Sequence, residues 1–292
     1  MILQNRYDFV VLFDVENGNP NGDPDSGNMP RVDSDTGHGI VTDVCLKRKI
    51  RNYVETVCEG RPGYEIYIKE NVPLNSSDRR AYDYIGINEN VKEKKKEDPD
   101  IDRKICEFMC KNFFDIRTFG AVMTTFIKAA LNCGQVRGPV QIGFARSIEP
   151  VMIQEVTITR IAITTEADAQ KKGTEIGRKY IIPYGLYRVE GSISANLAKK
   201  ITGFSEDDLV LLWEAIINMF EHDRSSTRGK MAVRDLIVFK HESALGNAPS
   251  HKLFESVHVI PNKPGIARTY SDYKITIDIE SIPQSVLCTR MI

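Results

Sequence analysis

Tyr7-Asp8-Phe9-Val10-Val11-Leu12-Phe13-Asp14-Val15 is a short run, apolar at nearly every position and rich in β-branched and aromatic side chains. A run of that length and composition predicts a buried central strand. It stops at Glu16 to Gly39, where Asn, Gly, Pro and Asp crowd together as turn-formers. Thr42 or Asp43 then offers an N-cap for a helix through about Cys58, and Gly60 with Pro62 ends it. Val44, Ile50, Val54 and Val57 are expected on one face of this helix, with Lys47, Arg48 and Arg51 mostly off it.

Outward from this unit, Tyr64 to Lys69 reads as a second strand and Ile101 to Phe113 as a helix. The polar stretch from Asn75 to Asp102, with Lys92, Lys94, Lys95 and Lys96 in it, reads as a solvated loop or insertion tip. Val151 to Thr164 alternates strongly, Thr165 to Lys179 loses the alternation, and Tyr180 to Ser194 recovers it. That pattern predicts a long β-hairpin with a flexible, partly basic end. Ser205 and Asp208 match the start of a capped helix running to about Phe220. Val233 to Lys240 and Tyr273 to Ile279 read as closing strands. The order of elements predicts an α+β sandwich of the split βαβ kind.

Thirty-nine basic residues oppose forty acidic ones, so the net charge of −1 advertises no polyanion, and any nucleic-acid surface has to be a local patch. The start, Met1 to Arg6, lacks a basic then apolar leader pattern, and no apolar run reaches the roughly 20 residues of a membrane helix. Six dispersed cysteines then fit reduced thiols in a cytoplasmic setting. Cys106 and Cys110 would share a helix face, but no second Cys/His pair stands nearby to complete a zinc site.

Templates for chemistry fail one by one. Asn17, Asn19, Asn21, Gly22 and Asp25 imitate a calcium loop, yet the closing bidentate Glu is replaced by Asn28, and Pro20 and Pro24 favour turns. The chain has no G-x-S-x-G elbow, no H-E-x-x-H helix and no phosphate-binding G-x-x-x-x-G-K-[ST] loop. No catalytic residue, metal or cofactor is therefore expected.

Binding signals are better. Thr42, Lys47, Arg48 and Arg51 lie within two turns of a helix start, where free N–H groups and the dipole favour a phosphate. Arg137 to Arg146 interleaves Arg137, Gln141, Phe144 and Arg146 with Gly and Pro, a mixture suited to a single strand. Asp223 to Lys230 offers Arg224, Arg228 and Lys230 in a polar loop between helix and strand.

Read in order, NGNPNGDPD at 17 to 25, HGIVTDVCLKRKIRNYV at 38 to 54, DIRTFG at 115 to 120, GPVQ at 138 to 141, YGLYR at 184 to 188, FEHDRSSTRGKMAVR at 220 to 234 and FKHESALGNAPSHKLF at 239 to 254 resemble the backbone subunit of type I CRISPR Cascade complexes. The likeness is closest to the type I-C (Csd/Csh) branch of the RAMP superfamily and covers about residues 5 to 285. It implies a single RRM-like (ferredoxin-like) palm over 1 to 292, with a finger insertion at about 60 to 130 and a thumb-like β-hairpin at 165 to 179. It also implies head-to-tail copies along one CRISPR RNA, other Cascade subunits as neighbours, and target DNA reached through the guide. Arg117 joins the RNA-contacting candidates, and Lys171, Lys172, Ile176 and Arg178 become thumb candidates, Ile176 as a wedge between bases. The K/R-G-F-G-F-V motif of ordinary RRM sheets is missing, which favours a backbone grip. Related type III backbone subunits cut RNA with an aspartate in the first loop, so Asp33 or Asp35 defines the alternative, a metal-dependent RNase.

Overall fold

In the computed structural model, which describes residues 1–86, 95, 97–128, 131–163, 165 and 174–292, β1 (Tyr7–Gly18) runs through the middle of an antiparallel sheet. Among the described residues the sheet has eight strands. From edge to edge these are β10 (Val286–Arg290), β7 (Lys230–His241), β1, β6 (Glu175–Ile193), β4 (Ala145–Pro150) and β2 (His38–Val41). Two more, β3 (Val140–Ile142) and β5 (Gln154–Arg160), lie against the long β6.

The unbroken apolar run of β1 follows from cover on both faces. Phe9, Val11, Phe13 and Val15 meet helices α1 (Asp43–Val57) and α5 (Glu206–Asn218) through side chains such as Ile50, Val54, Leu212 and Trp213. Val10 and Leu12 face the opposite way, onto a C-terminal layer. That layer contains α6 (Ser250–Glu255) and the hairpin of β8 (Val257–Pro261) with β9 (Tyr273–Ile277). The two aspartates of β1 also face this layer and must be partnered there. Asp8 accepts from His241 Nε2 at 2.8 Å, a tautomer fixed because the Asn247 backbone N–H donates to Nδ1. Asp14 lies 2.9 Å from Arg234 Nε, and Arg234 is the extra residue of a bulge where Leu12 pairs with Asp235 and Phe13 with Val233.

A second apolar cluster lies between residues 67 and 136. It joins α2 (Leu74–Ile85), α3 (Ile101–Asn112) and α4 (Phe114–Phe119) around Tyr67, Ile105, Met109, Phe113 and Phe126. This core reorganises two sequence expectations. Tyr64 to Lys69 is no strand and forms a single bridge, Glu65 to Phe113, because Ile66 and Tyr67 are buried by packing. The region from Leu74 to Ile85 is helical instead of loop, and its Ala81 enters the cluster. Lys92, Lys94 and Lys96 lie outside the described residues.

Two further corrections concern registers and faces. The excursion expected at 165 to 179 is shorter, because β6 already starts at Glu175 and pairs with β5 from Arg160 down to Gln154. This ribbon is exposed along all of β5, with Ile161 84% and Ile176 73% accessible. Helix α1 turns Leu46, Ile50, Tyr53 and Val54 inward, whereas Val44 and Val57 are exposed. Among the described residues no helix is long and apolar enough to cross a membrane.

Candidate nucleic-acid interface

Helix α1 starts where the sequence places it, on Thr42, whose Oγ1 accepts from the Cys45 N–H at 3.3 Å. Asn21 Oδ1 in turn accepts from both the N–H and the hydroxyl of Thr42, each at 3.0 Å. The asparagine-rich loop is thus a turn scaffold for the helix start. Asn17 and Asn28 adopt left-handed backbone, and Asn19 Nδ2 donates to the Asn28 carbonyl at 2.7 Å. Among the described residues no cluster of three His, Cys, Asp or Glu could hold a metal ion. Beside the loop, Cys45 directs its thiol to the Pro20 carbonyl, and burial pushes that thiol above its ordinary pKa.

The other two basic segments flank this helix start. On one side Asp223 ion-pairs with Lys49 of α1 and, at 2.9 Å, with Arg228. The loop is clamped further where its backbone crosses the end of β1: a Cβ on Gly18 would lie 1.9 Å from the Arg228 carbonyl oxygen. Arg224 and Lys230 stay mostly exposed beside Glu221 and Glu16, and Lys179 of β6 donates to Ser226 Oγ at 3.0 Å. On the other side the Lys47 ammonium lies 5.7 Å from the centre of the Phe119 ring, and Phe119 leads into Gly120. Gly120 and Gly138 press backbone to backbone, a Cβ on Gly138 falling 2.2 Å from the Phe119 carbonyl carbon. The crossing holds exposed Arg137 and Gln141 next to the helix. Gly138→Ala is therefore expected to cost about 1–3 kcal/mol through overpacking, read as a lower urea midpoint with an unchanged slope.

Arg48 reaches only the Ile68 carbonyl, at 3.4 Å, and Lys47 pairs with Asp43 at 2.9 Å within its own helix. Both are half-buried, Lys47 with 14% of its side chain accessible. Arg146 sits on β4, 59% exposed, with one guanidinium nitrogen 2.7 Å from Asp33. That contact, with the Asp35 backbone N–H, holds the Asp33 carboxyl below its usual range.

Two candidates are placed elsewhere. Arg51 is buried, its Nε 2.9 Å from Asp115, whose carboxylate also accepts the N–H groups of Tyr67 and Ile68. Arg117 is buried in a two-point pair with Asp208, at 2.9 and 2.8 Å, and donates to the carbonyls of Gly63 and Cys110. Both arginines join the 67–136 core to the main one, so neither reaches a ligand at the surface. Conversely, sequence reading passed over Lys49. Lys49 sits on the inward stripe of α1, and only the distant Asp223 gives its charge a purpose. Of the thumb candidates, Ile176 and Arg178 are exposed on one face of the ribbon, and Arg178 is 3.3 Å from Glu155. Lys171 and Lys172 lie outside the described residues.

Fold and site together define a mixed α/β protein with a central antiparallel sheet, in which three chain segments bearing cations are gathered about one helix start. The chain belongs to the family of the CRISPR-associated protein Cas7, whose profile matches residues 5–278. A relative from Haloferax volcanii, described as CRISPR-associated protein Cas7, is 27% identical over 266 residues, spanning 85% of this chain and 73% of the relative. A chain of a CRISPR RNA-guided surveillance complex in a pre-nicking state superposes with a TM-score of 0.47 at 16% identity, over 80% of this chain and 75% of that one. A second, from a CRISPR RNA-guided surveillance complex, gives 0.46 at 13%, over 80% and 68%. Membership rests on the family match.

Proposed function

We propose that the chain is the repeating backbone protomer of a type I-C Cascade surveillance complex, a cytoplasmic ribonucleoprotein that holds CRISPR RNA and presents it to target DNA. The observation that carries this reading is the convergence of Lys47 and Arg48, of Arg137 and Gln141, and of Arg224, Arg228 and Lys230 around the start of α1. Cations and helix N–H groups contact sugar and phosphate and leave base edges free, as a protein serving any spacer requires. In this reading the sheet with α1 and α5 is the RRM-like palm of a single domain. The cluster at 67–136 is the finger insertion, and the β5–β6 ribbon is the thumb. Like copies stack head to tail, an arrangement that does not close on itself, and other Cascade subunits cap the stack. Co-purified RNA is expected to be of one length class with many unrelated spacer sequences. Recovery of mixed cellular RNA, or of none, would sink the assignment.

In the same reading the chain is not an enzyme. Asp33 is held by Arg146 and by backbone N–H groups, the role of a loop-fixing carboxylate. With magnesium present, guide RNA and a complementary RNA are both expected to stay intact on a denaturing gel. Cleavage that vanishes in Asp33→Ala would establish the metal-dependent RNase instead.

A further inference from the structure

The register of β2 with β4 pairs Ile40 with Arg146 and Val41 with Ala145. One residue beyond the last pair stand Phe144 on one side and Thr42, the cap of α1, on the other. Phe144 is 59% exposed, a large aromatic ring left in water. It borders a hollow of about 380 Å³ whose walls include Gly143, Arg146, Ile148, Arg188 and Glu190. We infer that this hollow is a stacking subsite for one unpaired nucleobase of the strand whose phosphates lie on α1, with the Phe144 ring as its platform. The inference rests on the RNA-binding reading above and adds a base contact to a grip otherwise made of phosphate contacts.

The chemistry of the walls selects this occupant. Arg188 is anchored at each nitrogen: Nε donates to Glu190 at 3.0 Å, Nη1 to the Val257 carbonyl at 2.7 Å and Nη2 to the Phe254 carbonyl at 2.6 Å. Held at all three nitrogens, it forms a fixed wall. Gly143 adds no side chain over the floor, and its N–H is bonded to the Glu190 carbonyl at 2.9 Å. Arg146 gives one nitrogen to Asp33, stays 59% exposed and lines the same hollow as the ring. An exposed ring in a hollow shared with two arginines is what a base needs, since every base has a π-face and stacking tolerates any sequence. A protein partner would ask for a broader apolar core within the patch, and this ring stands among charged side chains.

The experiment measures binding of a single-stranded RNA and of a matched strand carrying abasic ribose to the full chain, for wild type, Phe144→Ala and Phe144→Trp, each across a salt series. On the ordinary strand Phe144→Ala is expected to bind roughly 5- to 100-fold more weakly, with an unchanged salt slope because no phosphate contact is lost. On the abasic strand the two proteins should bind alike. Phe144→Trp should restore affinity, and the added indole fluorescence should be quenched by the ordinary strand only. Equal losses on both strands, or no loss on either, would overturn the stacking role. So would unchanged RNA binding with loss of self-association in sedimentation, which would give the ring to a protein neighbour. If Phe144→Ala fails to fold, the quenching of Phe144→Trp decides alone. A wild-type chain that binds neither strand defeats the RNA-binding reading itself, and this subsite with it.

Discussion

Arg117→Met is expected to lower the unfolding free energy by about 3–5 kcal/mol, the usual cost of stranding one partner of a buried ion pair. Asp208, 2% exposed, would keep only the N–H and hydroxyl of Ser205, at 2.8 and 2.9 Å, as partners for its charge. The carbonyls of Gly63 and Cys110 would lose their donor as well. Because the pair spans the two apolar clusters, the loss should be felt by both. The double variant Arg117→Met with Asp208→Asn removes the stranded charge and should recover part of the loss. A urea titration of the two variants beside wild type is the check. Equal midpoints for wild type and Arg117→Met would show that the pair contributes nothing.

RNA binding should respond to a different set of residues. Removing the cations Lys47, Arg48, Arg224 and Lys230 to alanine is expected to flatten the log–log salt dependence by roughly 0.7 each, or about 3 in all, with a correspondingly large loss of affinity at low salt. The loss should be the same for unrelated spacers, since none of these side chains is placed to read sequence. Arg51→Ala, by contrast, should lower stability and leave the slope of the folded protein alone, because Arg51 faces Asp115. Filter binding over a range of potassium chloride separates the two classes. A full slope in the fourfold variant would remove this margin from the interface.

These assignments show which signals were local enough to read. The apolar run of β1, the Thr42 cap and the Ser205–Asp208 capping box are all written within a few residues, and each appears in the fold. The alternation of 151 to 164 announced a strand, but alternation reports the pleat and not the cover, and β5 is exposed throughout. Ile66 and Tyr67 look like strand residues because burial alone selects apolar side chains, whether or not a ladder forms. The basic residues were hardest. Arg51 and Arg117 resemble Lys47 and Arg48 in sequence, yet their partners lie 64 and 91 residues away. The near-neutral total charge hid the same fact, that many cations are answered by acids inside the protein. Gly18 and Gly138 were visible only as turn-formers, whereas the structure uses both where two backbones touch.

The exposed ribbon of β5 and β6 bears on how the protein behaves in solution when made alone. A two-stranded ribbon is marginal in water by itself, and this one presents Val156, Ile158, Ile161 and Ile176 to solvent. Uncovered apolar surface of this kind drives self-association, and excluded salts such as sulfate strengthen that attraction. Protein produced in excess of whatever shields the ribbon therefore carries a colloidal liability set by stoichiometry. Its solubility is a property of the mixture it is made in, to be managed by co-expression before buffer composition.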